Sequence, residues 1–380
     1  MIDKGRAGVR PFSWMKITCI IASLRMGGAE RQLVGLATLL GQSGQQVDVL
    51  TYRSGDFYTE TLRKAGIRHT CLDWKGPDAG LIRRIASHLK ENGTQVAISF
   101  LVGANIKSCL AHIIHPGFKL VVSERNCNTS LLPHDLFRFW LYRTQADAVV
   151  CNSFAQTAFV SRHFPGLRLK VETIPNFVDF GQFCPSGEVR RREGPLEVVT
   201  VARLSPRKNA MGLLRAATDP SLAGIRFHWY GVPRGSRYEK RCREFIKRNN
   251  LQDRFIMHPA VDNPADVYRK ADAFCLCSFY EGTPNSLAEA LCCGLPAICS
   301  NVSDNARYVI PGRNGFLFNP HESRSIVKAL RRLAALNPSQ LRECSAQSLA
   351  IASDNFPTEL FLKRYTDLLR GLGGGPEGGL

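Results

Sequence analysis

Two carboxylates and two cations carry the chemistry this sequence offers most plainly. Glu281 and Glu289 bracket the run Glu281-Gly-Thr-Pro-Asn-Ser-Leu-Ala-Glu289, and the stretch ends at Gly294. Thr283 is expected to cap a helix there, Pro284 fits its first turn and Gly294 stops it. A helix start presents free N–H groups, which attract a phosphate or a sugar hydroxyl. Either glutamate alone would read as an ordinary solvated carboxylate. The cations change that: Arg203 and Lys208 sit in Val201-Ala-Arg203-Leu-Ser-Pro-Arg207-Lys208-Asn209. Arginine forks two phosphate oxygens and lysine adds a point charge, so the two can neutralise a departing diphosphate. Arg207 is read as facing solvent. Gly27 and Gly28 form a turn where backbone can approach a ligand closely.

These residues need elements to hold them. Short β-branched runs at 17–22, 47–51, 96–100, 120–123 and 148–151 alternate with helical stretches, and the pattern restarts at 196–201, 226–230, 254–257, 273–277 and 297–300. Such alternation marks βαβ units with a parallel sheet. The expected fold is α/β, with two Rossmann-like doubly wound domains facing each other across a cleft. The boundaries expected are a flexible leader at 1–14, a first domain at 15–182, a linker at 183–195 and a second domain at 196–353. A helix at 354–370 is expected to return to the first domain, before a Gly-rich tail at 371–380 that is expected to be disordered. Ligands of open α/β sheets bind outside the carboxyl ends of the strands. Both cations and both glutamates follow such strands.

Composition narrows the classes. The 380 residues, 44% hydrophobic and 22% charged, suffice for two cores. The formal charge of +18 suits a phosphate ligand, an anionic membrane surface or nucleic acid equally well. Up to residue 185 there are 22 basic and 13 acidic residues, and 28 and 19 beyond it, so no basic tail dominates. With no RNP, helix-turn-helix or zinc-finger pattern, nucleic acid is not an expected partner. The 13 cysteines lie mostly in apolar runs without C-x2-C spacing, which predicts buried thiols in a reduced, cytoplasmic protein. The apolar run at 17–23 is too short for a signal peptide, and no run of about 20 apolar residues is present to span a bilayer. His112, His115, His134 and His163 receive no role.

Together, Arg203 with Lys208, Glu281-x7-Glu289 and Gly27-Gly28-Ala-Glu30 resemble the retaining family-4 glycosyltransferases of the GT-B fold. The resemblance extends through Asp253-Arg-Phe-Ile-Met-His-Pro-Ala-Val261, Tyr268-Arg-Lys-Ala-Asp-Ala273, Gly294-Leu-Pro296 and Gly312-Arg-Asn-Gly315. It implies that Arg203 and Lys208 bind the donor diphosphate, that Glu281 faces the donor sugar's hydroxyls and that Glu289 bonds the ribose. Gly27, Gly28, Gly282, Thr283, Asn285 and Val261 would add donor contacts, and the first domain would hold the acceptor. Two departures stand out. Where many relatives have a histidine, this chain reads Val122-Ser123-Glu124-Arg125-Asn126. Glu124 or Arg125 is expected to take that place, Glu124 in a catalytic role and Arg125 with Asn126 toward the acceptor. The loop usually written with two glycines and a glutamate reads Asn301-Val-Ser-Asp-Asn-Ala-Arg307.

The sequence contains no D-x-D pair for a metal-bound diphosphate, so the cations and the helix start would hold the charge. No metal and no cofactor are expected, the nucleotide sugar being a substrate. The resemblance implies transfer with retention; a UDP-linked hexose or N-acetylhexosamine is the expected donor because such donors are the common ones. The acceptor is expected to be lipid-linked or a growing glycan of the bacterial cell envelope. The aromatic and basic helix at 131–143 is expected to pack its apolar side on the sheet, while the positive charge fits peripheral docking on the anionic cytoplasmic face of the inner membrane. The rival readings are a sugar-nucleotide epimerase of the same architecture and a nucleotide-binding module without chemistry.

Overall fold

The computed structural model describes residues 14–185 and 194–373. The expected leader up to residue 13, residues 186–193 of the expected linker and residues 374–380 of the expected tail lie outside the described residues.

Two sheets form, as the alternation predicts. The first contains β1 (Lys16–Ile21), β2 (Gln46–Thr51), β3 (Arg68–Cys71), β4 (Val96–Phe100), β5 (Lys119–Glu124), β6 (Ala148–Cys151) and β7 (Val171–Thr173), in the order β3-β2-β1-β4-β5-β6-β7. The second contains β8 (Leu196–Val201), β9 (Ile225–Tyr230), β10 (Phe255–His258), β11 (Ala273–Leu276), β12 (Ala297–Ser300) and β13 (Gly315–Phe318), in the order β10-β9-β8-β11-β12-β13. Every pairing is parallel. In each sheet the strand order reverses beside the first strand, which opens a crevice at the carboxyl ends.

Both faces of each sheet are covered, which is why the central strands are mainly apolar. On β1, Ile17, Cys19 and Ile21 join Leu33, Leu36 and Leu40 in one core, while Ile20 joins Leu81, Ile85 and Phe139 in another. On β8, Val198 packs with Leu213 and Leu330, and Val199 packs with Leu287 and Leu291 on the opposite side. The strands missing from the sequence expectation, β3, β7 and β13, are all edge strands of three or four residues. An edge strand need not carry a long apolar run.

The last helix, Thr358–Gly373, places Phe361, Tyr365 and Leu369 in the core of the first domain. The expected tail therefore starts too early: the helix continues through Gly371 to Gly373, which lies against Met15. A second correction concerns the aromatic helix, Pro133–Gln145. Phe139, Leu141 and Tyr142 are buried, but Leu136, Phe137 and Trp140 are 54%, 52% and 54% exposed. All 13 cysteines are free, ten of them buried. Among the described residues, no helix is long and apolar enough to cross a membrane.

Candidate active site

A cavity of about 640 Å³ opens between the two domains, at the carboxyl ends of both sheets. From the first domain come Met26–Gly28 after β1, Leu101 after β4, Arg125 and Asn126 after β5, Asn152 and Asn176. From the second come Val201–Arg203 with Arg207 and Lys208 after β8, Tyr230–Pro233 after β9, Val261 after β10 and Glu281–Ser286 with Glu289 after β11.

The cations are held by local chain geometry. Pro206–Lys208 forms a single 3-10 turn that Asn209 ends in the left-handed region, at φ +56. Asparagine tolerates that conformation better than most residues. Its side chain then caps the next helix by accepting from the Gly212 amide and donates to the Pro320 carbonyl at 2.9 Å. So fixed, the turn delivers Lys208 to the Glu281 carboxylate. Ser278 donates to that carboxylate at 2.5 Å, and Phe279 N–H donates to the Arg207 carbonyl at 3.0 Å, joining the two loops. Arg207 corrects the sequence reading: instead of facing solvent, it lies 3.7 Å from Glu281 and over the Tyr280 ring. Arg203 is exposed at the cavity, and among the described residues no ion-pair partner meets it.

The helix at this site is Asn285–Cys292, and it corrects the expected cap. Pro284 occupies the capping position, and the Thr283 hydroxyl donates across the cleft to the Asn152 carbonyl. The expected stop holds, since Gly294 has φ +76 just past the helix end. Asn176 donates to both the Thr283 carbonyl, at 3.0 Å, and Asn285 Oδ1, at 2.6 Å. Gly28 is small for a reason: a side chain there would run into Asn285 of the other domain. A Cβ at Gly282 would likewise crowd Asn152, whose buried Oδ1 has no hydrogen-bond partner among the described residues.

Glu289 is buried and paired with Arg31 from the first domain, and the Tyr268 hydroxyl donates to it at 3.0 Å. Burial opposes the charge on Arg31, yet Glu289 holds the guanidinium above its ordinary pKa. Sequence reasoning missed Arg31, because only tertiary structure brings it to Glu289. It also missed Tyr230, which stacks on His258 with ring centroids 4.2 Å apart and forms, with Val232 and Val261, an apolar wall.

The expectation for Glu124 is corrected. It lies beneath the cavity, not in it, accepting from Tyr142 at 2.7 Å and pairing with Arg138 at 3.3 Å. Burial raises its carboxyl pKa, with Arg138 and Tyr142 opposing. Arg125 and Asn126 do line the cavity. Arg125 donates to Asn176 at 2.6 Å and lies over Phe100, and burial lowers its pKa. The divergent loop at 301–307 works between domains. Asp304 accepts from the amides of Phe154 and Ala155, at 2.7 and 2.9 Å, at the start of the first-domain helix Phe154–His163. Among the described residues, no cluster of three or more His, Cys, Asp or Glu could hold a metal ion.

Comparison with known proteins agrees with this architecture. Residues 26–182 match the family described as glycosyltransferase family 4, and residues 186–347 match glycosyl transferases group 1. A Campylobacter jejuni protein named as an alpha-1,4-N-acetyl-D-galactosaminyltransferase acting on a diNAcBac-PP-undecaprenol-linked glycan is 25% identical over 83% of this chain and 88% of its own. A putative glycosyltransferase of Bacillus subtilis, EpsF, is 25% identical over 76% of this chain and 80% of its own. The crystal structure of Anabaena Alr3699/HepE in complex with UDP and glucose superposes with a TM-score of 0.81 at 20% identity, covering 94% of this chain and 99% of that one.

Proposed function

The chain belongs to the family-4 glycosyltransferases of the GT-B fold, and on that premise we propose that it moves a hexose or N-acetylhexosamine from a UDP-sugar to a lipid-linked glycan. Transfer proceeds with retention of anomeric configuration and without a metal. The observation that carries this reading is the cavity between the domains, where Arg203, Arg207 and Lys208 face Glu281 and the loop leading to the Asn285–Cys292 helix.

Breaking the anomeric C–O bond leaves an electron pair on the departing diphosphate and positive charge on the sugar. Arg203 and Lys208 neutralise the first, preorganised in a cleft where their charge is worth more than in water. The absence of a D-x-D pair supports leaving that task to cations. Glu281, fixed by Lys208 and Ser278, faces the sugar hydroxyls, and Glu289 takes the ribose. The wall of Tyr230, Val232 and Val261 suits the flat face of a uracil. The acceptor hydroxyl attacks from the side of the departing diphosphate and passes its proton to a leaving phosphate oxygen, which gives retention. UDP in the Anabaena structure and an undecaprenol-linked substrate in the Campylobacter relative support donor and acceptor.

The test is proton NMR of the product formed from UDP-sugars and undecaprenyl-diphosphate-linked acceptors in the presence of EDTA. An α-linked product from an α-linked donor is expected. A β-linked product, loss of activity in EDTA, or conversion of the UDP-sugar without acceptor would each contradict part of the reading, the last favouring an epimerase.

A further inference from the structure

The helix Pro133–Gln145 carries apolar side chains on its outer face as well as on its inner one, which a protein that meets only water does not need. Toward the interior it turns Phe139, Leu141 and Tyr142 together with Asp135 and Arg138: Arg138 pairs with Asp135 at 2.7 Å and with Glu124 at 3.3 Å, and Tyr142 donates to Glu124. Toward the outside it and its leading turn present Leu131, Leu132, Leu136, Phe137 and Trp140. The Phe137 and Trp140 rings stack on one another, 6.1 Å apart. Ile113 and Ile114, at the end of the Val102–Ile114 helix packed alongside, are also exposed. A contiguous apolar patch of this kind marks a surface that something covers.

We propose that this face docks the protein on an anionic lipid bilayer; the proposal rests on the reading that the acceptor is carried by a lipid. Three observations select a bilayer as the occupant. Between residues 131 and 144 the one acidic residue, Asp135, is fully buried, so the outer face carries apolar groups with His134, Arg143 and Thr144, and no negative charge. Arg143 lies against Gly166, next to exposed Arg168 and fully exposed Leu169, so cations border the patch in a chain of formal charge +18. Leu, Phe and Trp beside Arg is the composition of a helix lying in a membrane interface, the rings at the acyl boundary and the cations among anionic headgroups. Finally, Leu131 follows cavity-lining Asn126 by five residues, so the patch is tethered to the cavity wall that an acceptor would reach.

Flotation of the full chain with phosphatidylcholine vesicles, with and without phosphatidylglycerol, tests this. The protein is expected to float with the phosphatidylglycerol vesicles, and Leu136→Ser/Phe137→Ser/Trp140→Ser to lower partitioning by at least about tenfold. Its Tm should not change, because these side chains are already exposed. Quenching of tryptophan fluorescence by brominated lipid should disappear in Trp140→Phe. Equal flotation of both proteins, no flotation of the wild type, or a wild-type dimer that the triple variant converts to monomer would overturn the proposal, the last assigning the face to a second copy. Transfer to a detergent-dispersed short-chain acceptor separates the two readings. That activity should match in wild type and triple variant; its absence from both contradicts the lipid-linked acceptor and leaves the flotation result standing.

Discussion

Arg31 and Glu289 stand 258 residues apart in the chain and meet across the cleft as an ion pair. The carboxylate is buried and takes its second hydrogen bond from Tyr268, so Arg31 fixes the orientation of the group proposed to receive the donor ribose. A hydrogen bond to a charged group is worth roughly 1.5–3 kcal/mol, so Arg31→Ala should raise the donor KM by about tenfold to a hundredfold. Arg31→Lys should recover part of it. Steady-state kinetics with varied donor checks this; an unchanged KM would mean that Glu289 needs no partner.

Lys208 is placed to act on the departing diphosphate. Lys208→Ala should lower kcat on the order of a hundredfold to a thousandfold, the range for removing one preorganised group that stabilises transition-state charge. Thermal unfolding of the variant should stay near that of the wild type, because Glu281 keeps Ser278 and Arg207.

Asp304 clasps the two domains by accepting two amides of the Phe154–His163 helix. Asp304→Ala leaves those amides without their carboxylate, a loss of about 1–3 kcal/mol expected to appear as domain opening. Small-angle scattering should report a larger radius of gyration for the variant, and Asp304→Asn should lie between the two. Identical scattering of wild type and Asp304→Ala would remove the clasp from the account.

Glu124 carries a pH dependence of stability. Burial raises its carboxyl above the ordinary 4.5, although Arg138 and Tyr142 oppose the shift. A group raised in the folded protein contributes stability that is fully present below the unfolded pKa and is lost as pH rises through the folded one. Glu124→Gln is neutral at every pH. The stability of the wild type relative to this variant should therefore fall as pH rises above about 4.5. Urea unfolding across that range measures it, and a relative stability that climbs with pH would mean that Arg138 outweighs burial.

The sequence announced what lies on loops after central strands. Arg203, Lys208, Glu281 and Glu289 follow apolar runs, and the topology of a doubly wound sheet brings such loops to one crevice. It did not announce what depends on the second domain's approach. Arg31, Asn152 and Asn176 face Glu289, Thr283 and Asn285 only once the domains meet, and their spacing in the chain carries no periodic signal. Arg207 looked like one more solvated cation, since a turn written Pro-Arg-Lys does not say which side chain points inward. Glu124 was assigned to the site by its place just past the expected strand at 120–123, yet β5 runs on through Glu124, alternate residues of a strand face opposite ways, and Arg125 took the cavity side. The aromatic helix misled for a related reason: it is apolar on two sides, and part of its inner face is taken by Asp135 and Arg138, which Glu124 helps to satisfy, so Leu136, Phe137 and Trp140 are left outside.

The central claim is transfer from a nucleotide sugar through this cleft, and release of nucleoside diphosphate tests it most directly. Purified protein in EDTA would be offered UDP-, GDP- and ADP-sugars with and without undecaprenyl-diphosphate-linked acceptors, with Lys208→Ala alongside. The account predicts UDP release from one UDP-sugar, raised by the lipid-linked acceptor and lost in the variant. Release that ignores the acceptor, prefers GDP or ADP, or survives Lys208→Ala would contradict it.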